Sequence, residues 1–381
     1  MSGNYDIELI KELCLAFGPS GCEGEVADLV CKHLTGVADE IVRHRSGYVA
    51  AVLRGVPCKG SFAPSHADGR PRRIMLAAHM DEVGFMVRSV DDEGYVRVAT
   101  VGGIVPTVLP ATRVRIRSYK TGRDYAAVFG EKPVHLQGGE RGRAPDIDSA
   151  YLEFGAESKE QAHEIKPGDF AVFDAPFYRF GSPEPSSPDG TPDENGVKLR
   201  AKALDDRLGC ATLITAARAL REYRDGYDGA ESMPADVWFV FTVREEVGGH
   251  GATLAANKLA PDVALVLEAT AVADVDVKNK DTKPSELVAE QGKGGALSFA
   301  DRSTLYDPEL LEFIMDTDIP CQIKKFVSGG NDAGPIQRSG AGCRVAALSA
   351  PARYIHTPAN VVDLRDVSAI NDLVLDFVKR F

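Results

Sequence analysis

RIMLAAHMDEVGFMV, residues 73–87, carries five consecutive apolar residues from Ile74 to Ala78 and then His79 and Asp81. An apolar run without alternation is what a strand covered on both faces requires, and central strands of parallel sheets are covered in that way. The segment therefore predicts a central β-strand that ends in a histidine. Open α/β sheets place their ligand sites at the carboxyl ends of such strands.

Outward from this strand the periods change. Upstream, Ile7, Ile10, Leu13 and Cys14 recur at helical spacing, Gly18–Gly21 interrupts, and Val26, Leu29 and Val30 resume, which predicts two short helices. YVAAVLRG, 48–55, reads as a strand, and Cys58–Arg73 as a surface loop rich in Gly, Pro and Ser. From about Arg88 to Ala175, YVRVATVGG, TRVRIRSY and DYAAVFG are short β-type segments between turn formers, so 89–175 reads as a small all-β insert. Gly181–Gly196 is dense in turn formers and acids and reads as an exposed loop. Beyond it a helix with Leu208, Thr212, Ala216 and Leu220 on one side leads to the strand VWFVFTV, a second helical region and the strand VALVLEA. Val367, Ile370, Val374 and Phe377 share one face of a last helix. The alternation predicts an α/β domain, 1–88 with 176–381, built on a mainly parallel sheet flanked by helices.

Acids and imidazoles fall at the ends of the apolar strands. His79 has Asp81 two residues on, an acceptor suited to the second N–H of a metal-bound imidazole. Asp205, in KALDDRLGC, stands at a strand-to-helix junction, where either it or Asp206 could serve as a helix cap. Glu245 and Glu246 follow VWFVFTV directly; neighbouring carboxylates at a buried strand end repel unless a cation compensates. A metal ligated by Glu246 would resolve the conflict and leave Glu245 free to take a proton from bound water. Glu268 follows the apolar run VALVL, and His356 precedes a Thr-Pro turn. His79, Asp205, Glu246, Glu268 and His356 are two imidazoles and three carboxylates, a set suited to zinc, cobalt or manganese. Five ligands suit two ions about 3.5–4 Å apart that share one carboxylate. The other histidines, His250 among them, read as ordinary surface or core residues.

The bulk numbers exclude other classes. Asp and Glu total 56 against 44 Lys and Arg over 381 residues, and the resulting charge of -12 repels phosphate backbones and anionic membranes, so nucleic acid is not an expected partner. No apolar run approaches the roughly 18 residues that cross a bilayer. The seven cysteines are scattered and form no CxxC pair, and MSGNYDIELIKELC has no apolar signal-peptide core, so a cytoplasmic location is expected. A GxSxG nucleophile motif is absent.

The stretches GPSGCEGEVADLV, AAHMDEVGFMV, VGGIVPTVLP, FGEKPVHL, KALDDRLG, REEVGGHGA, VLEATAVAD, GGNDAGPIQ and IHTPANVV occur in that order over nearly the whole chain. With them the sequence resembles the glutamyl and deblocking aminopeptidases, including the TET aminopeptidases. The resemblance implies a zinc-peptidase-like fold with an inserted β-barrel-like domain used for dimer contacts, and hydrolysis of N-terminal residues from peptides. It implies that Asp205 bridges two divalent metal ions, that His79 and Glu268 complete one site and Glu246 and His356 the other, and that Glu245 is the general base. It also implies a homodimer that builds a larger, tetrahedral particle. Asn331 and Asp332, in the Gly329–Gly334 turn, resemble a segment beside the substrate pocket, although the turn reads equally as structural. Glu268 stands where many relatives have Asp, Ala111 where Gly is usual, and the loops Cys58–Arg73 and Gly181–Gly196 look longer than in relatives. Rival readings are a dinuclear deacylase or carboxypeptidase and a noncatalytic assembly or peptide-binding protein. Glycoside hydrolysis is disfavoured, because it needs two carboxylates flanking a sugar bond and no obligatory metal.

Overall fold

The computed structural model describes residues 5–55, 71–136, 145–181, 197–226, 233, 235–276, 288–325 and 327–381. Most of the loops Cys58–Arg73 and Gly181–Gly196 lies outside the described residues.

Two helices, α1 (Ile7–Leu15) and α2 (Gly24–Leu34), open the chain, with Leu9, Ile10, Leu13, Cys14, Val26 and Val30 turned into the core. The strands β1 (Glu40–Arg43), β2 (Val49–Leu53) and β3 (Arg73–His79) follow. β3 is buried along its length after Arg73, as its unbroken apolar run predicts. Six strands come next: β4 (Gly84–Val90), β5 (Val96–Val101), β6 (Arg113–Arg117), β7 (Asp124–Phe129), β8 (Tyr151–Glu153) and β9 (Phe170–Phe173). They close into an antiparallel barrel of order β4-β5-β8-β7-β6-β9 with its own core, in which the Phe85 ring meets Phe129 and Phe173 edge-on at 4.9 and 5.4 Å. The barrel begins at Gly84 and not near Arg88. The change of direction falls in the Met80–Val83 turn, and the apolar residues of β4 merge in the sequence with those of β3.

The chain returns through β10 (Tyr178–Phe180) and β11 (Lys198–Ala201) to α3 (Leu204–Gly226), β12 (Asp236–Thr242), α4 (His250–Leu259) and β13 (Val263–Ala271). It finishes with β14 (Gly295–Ser298), α5 (Pro308–Met315), β15 (Cys321–Lys324), α6 (Ala333–Gln337), β16 (Arg344–Arg353), β17 (Asn360–Asp363) and α7 (Leu364–Arg380). The main sheet has the order β1-β2-β12-β3-β13-β16-β17-β11-β10, with β14 beside β16 and β15 beyond it. Its centre, β12-β3-β13-β16, is parallel, and the outer pairs β1-β2, β16-β17, β17-β11 and β11-β10 are antiparallel. α3 packs on β3 and β13, α4 on β12, and α7 on β16 and α3. Leu208, Thr212, Ala216 and Leu220 are buried along α3, and Val367, Ile370, Val374 and Phe377 along α7, on the faces their spacing predicts.

Barrel and sheet are joined by charge and ring contacts. The Arg117 guanidinium of β6 lies 4.2 Å above the Phe17 ring and bonds to Glu25 of α2 at 2.5 Å, and Arg115 donates to the Leu15 carbonyl. The six cysteines among the described residues are free. No described helix is long and apolar enough to cross a membrane.

Candidate functional site

The parallel strands β3, β12 and β13 deliver acids and imidazoles to one end of the sheet, each by a different local device. His79 is the last residue of β3 and is 2% exposed. Its Nδ1 meets the backbone carbonyl of Asp81 at 3.1 Å, whereas the Asp81 carboxylate is 3.6 Å away. The acceptor for the second imidazole nitrogen is thus the Asp81 main chain. The Asp81 carboxylate instead accepts the Ser20 hydroxyl at 2.6 Å and the backbone N–H groups of Glu245 and Glu246 at 3.1 and 3.2 Å. Asp81 therefore aims the turn after β12.

At the head of α3 the two neighbouring aspartates divide the labour. Asp206 takes the cap, accepting the Gly209 N–H at 3.0 Å, while both residues stand outside helical geometry. Asp205 is released to face the site. Its Oδ1 is 3.3 Å from His79 Nε2 and its Oδ2 3.3 Å from His356 Nε2, so one carboxylate spans both imidazoles. Glu268 reaches the same His79 nitrogen at 3.4 Å, and Glu246 the same His356 nitrogen at 3.3 Å. Glu268 does not end its strand. β13 runs on to Ala271, but its pairing with β3 stops at Val266, which opens the edge through which Glu268 faces His79. His356 sits in the turn after β16 with a left-handed φ of 59°, and its Nδ1 donates to the Gly103 carbonyl at 2.7 Å. Gly103 follows the barrel strand β5, so the barrel supplies the partner that sets the imidazole's orientation.

Two groups of donors that could hold a metal ion result, His79–Asp205–Glu268 and Asp205–Glu246–His356, each with its ligand atoms within 4.8 Å of one another. Glu245 belongs to neither group, yet it lines the same open cavity of about 520 Å³. The electrostatics record an excess of negative charge. Burial raises the Glu268 carboxyl well above the usual carboxylate range, assisted by Asp205, and raises Glu246 as well. Burial likewise lifts Glu245 well above its usual value, with Asp332, Glu246 and Asp81 adding to the effect. Burial disfavours protonated imidazoles, but Glu268, Asp205 and Asp81 outweigh it at His79, and Asp205 and Glu246 push His356 up to about 11. Such a set of buried, mutually repelling acids fits a cation, and its mixture of oxygen and imidazole donors fits zinc, cobalt or manganese.

The two substrate candidates part company. Asn331 lines the cavity, its Nδ2 held by the Tyr306 hydroxyl at 3.0 Å. Asp332 is 1% exposed, does not line the cavity, and accepts the Thr242 hydroxyl. Several residues had no signal of their own in the sequence. Glu82, Lys202 and Arg207 form a buried ionic cluster behind the site, with Lys202 Nζ on both Glu82 oxygens at 2.6 and 2.8 Å. Lys324 lines the cavity, and Glu23 accepts the N–H of Arg244, the residue before Glu245. His250 is exposed and joins neither donor group.

A mainly parallel sheet with carboxylate and imidazole donors gathered at its strand ends, and a barrel inserted beside them, defines an α/β peptidase scaffold. The chain belongs to the M42 glutamyl aminopeptidase family, which it matches over residues 62–373. It is 32% identical to a lysyl aminopeptidase of Pyrococcus furiosus over 95% of this chain and 93% of that protein. Among solved structures it is similar to a TET aminopeptidase from a marine sediment archaeon of the Thaumarchaeota, with a TM-score of 0.84 and 34% identity over 98% of this chain and 97% of the other. The TET1 peptidase of Pyrococcus horikoshii, described as able to assemble into a tetrahedron or a large octahedral shell, gives a TM-score of 0.79 and 28% identity over 98% and 99% of the two chains.

Proposed function

We propose that this protein is a metal-dependent aminopeptidase that removes residues from the free N-terminus of peptides. The observation that carries the reading is the position of Asp205, whose two oxygens are divided between two donor groups while Glu245 stands beside both and in neither. His79 and Glu268 would hold one divalent ion, Glu246 and His356 a second, and Asp205 would be shared. Ions held there would polarise the scissile carbonyl and lower the pKa of the attacking water. Glu245 takes the proton of that water as its oxygen adds to the carbonyl carbon, and returns it to the amine nitrogen as the C–N bond breaks. Asp81 keeps Glu245 and Glu246 in register through their backbone N–H groups, and Asn331, which lines the cavity, would be the contact for the substrate.

The barrel would provide the contact for a homodimer, and dimers would build a larger particle; the Pyrococcus horikoshii TET1 peptidase is described as able to assemble into a tetrahedron or a large octahedral shell. A cytoplasmic location suits such an enzyme. The test is release of free amino acids from unblocked peptides by metal-stripped protein before and after addition of zinc, cobalt or manganese. Stepwise release that returns with metal, and that N-terminal acetylation of the peptide blocks, is the expected result. Cleavage that spares unblocked peptides and requires an acylated amine would replace this reading with a dinuclear deacylase.

A further inference from the structure

Resting on the reading of Glu245 as the base, we propose that Glu23 is a positioning residue that fixes the turn on which Glu245 stands. β12 ends at Thr242 and α4 begins at His250, so Glu245 and Glu246 lie in the connection between them. The carbonyls of that connection bond locally: Val243 accepts the Gly251 N–H at 3.0 Å, Arg244 the Gly249 N–H at 2.9 Å and Glu245 the Gly248 N–H at 2.9 Å. These bonds close the turn on itself and leave its first N–H groups to distant partners. Those of Glu245 and Glu246 go to Asp81 at 3.1 and 3.2 Å, and that of Arg244 goes to Oε1 of Glu23 at 3.2 Å. Three consecutive peptides after β12 therefore hang from two buried carboxylates. Arg244 has a φ of 59°, a left-handed conformation that costs a residue with a Cβ and persists where the surroundings fix it.

Glu23 serves this turn and not the helix it precedes. It is the residue before α2, where a carboxylate commonly caps the first turn, yet its side chain makes no such bond. It is 7% exposed, and the oxygen that meets Arg244 also accepts the Gly21 N–H at 2.7 Å, which holds the side chain in place. The loop 18–23 is anchored in turn to the exit of β3. Glu82 donates its N–H to the Gly18 carbonyl at 3.0 Å, Ser20 donates its N–H to the Glu82 carbonyl at 3.3 Å, and the Ser20 hydroxyl bonds to Asp81. One loop thus sets both carboxylates. Glu23 does not line the cavity and belongs to neither donor group, so it acts through the turn. Asp81 grips the candidate ligand Glu246 as well as Glu245, whereas Glu23 grips the peptide ahead of the base. Removal of Glu23 frees Glu245 to shift while the Glu246 N–H stays on Asp81, and its signature is a loss of rate with the metal retained.

The experiment measures kcat, KM, bound metal and the urea midpoint with one unblocked peptide that the native protein cleaves. The variants are Glu23→Ala, Glu23→Asp, Glu23→Gln, Glu245→Gln and the double variant of Glu23→Ala with Glu245→Gln. Glu23→Ala should lower kcat by about tenfold or more, with KM and metal content near native, because displacement of a base costs rate and not binding. Glu23→Asp keeps the charge but withdraws the oxygen by one methylene, and should be impaired as well. Glu23→Gln keeps the acceptor oxygen without the charge and should restore kcat. Once Glu245 can no longer take a proton its position ceases to matter, so Glu23→Ala should cost no more than about twofold in the Glu245→Gln background. A lowered urea midpoint with native kcat in Glu23→Ala marks an ordinary loop contact and overturns the assignment. Loss of metal from Glu23→Ala, Gln as impaired as Ala, or the full tenfold loss in the Glu245→Gln background overturns it too. If Glu23→Ala does not fold, Asp against Gln decides, and equal rates in those two overturn it. Near-native turnover in Glu245→Gln removes the base reading and the positioning role with it, whereas an impaired Glu245→Gln beside a native Glu23→Ala removes the positioning role alone.

Discussion

Glu245→Gln keeps the size of the side chain and removes its ability to take a proton. It should lower kcat by about 10²–10⁴-fold, while metal content, measured by mass spectrometry, stays native; turnover close to native would remove the base assignment. Asp205→Ala should behave oppositely and lose metal, because both donor groups depend on that carboxylate. Ala111 offers a test of stability free of catalysis. Its φ is 58°, the left-handed region, and its N–H donates to the Phe129 carbonyl at 3.1 Å, so Ala keeps this turn at a conformational cost that Gly would not carry. Ala111→Gly should raise unfolding stability by about 0.5–1 kcal/mol after the greater freedom of Gly in the unfolded chain is deducted, read as a shift in urea midpoint. At this scale the sequence revealed residue types and not their division of labour. It placed Asp205 and Asp206 side by side, but only the helix start shows that Asp206 caps and Asp205 is free. Nor could it show that His79 leans on the Asp81 main chain, since main-chain acceptors leave no mark in residue identity.

Legibility at the scale of elements followed length and burial. β3, β12, α3 and α7 announced themselves because each is long enough, and buried enough on one face or both, for a period to show. β10, β11, β14, β15 and β17 have three or four residues each and owe their places to pairing with longer strands. β4 was hidden by the apolar run it shares with β3. The start of α7 carries a prediction of pH dependence. Asp363 caps the helix through the Arg365 N–H and receives Lys198 and the Arg365 guanidinium at 2.9 and 2.8 Å. Burial alone would raise its carboxyl, but Arg365 and Lys198 prevail and hold it down at about 2, against 3.8 for an ordinary Asp. A depressed carboxylate stabilises the fold at pH values above the unfolded pKa and ceases to do so as pH falls through the folded one. About 2 kcal/mol should therefore disappear between roughly pH 4 and pH 2. Asp363→Asn should be less stable at pH 7 and show a flatter loss over the acid range, followed by urea unfolding at stepped pH.

At the scale of the molecule, the assembly proposal predicts a species larger than one chain in light scattering, and a monomer at all working concentrations would remove it. The contact between the Gly103 carbonyl and His356 bears on how the two parts of the chain can be exchanged. An insert is commonly regarded as a cassette that can be cut out or replaced if its ends are close together. Here the cassette holds one side of a candidate ligand. A shortened chain in which a simple turn replaces residues 84–173 would still contain His79, Asp205, Glu246, Glu268 and His356, and every one of them would look intact in an inventory of residues. Yet His356 would have lost the acceptor that decides which of its nitrogens faces the site. Recombination that swaps barrels between relatives can preserve this centre only if the incoming cassette brings a carbonyl to the same place, which makes the position of the Gly103 carbonyl the feature that such exchanges must conserve.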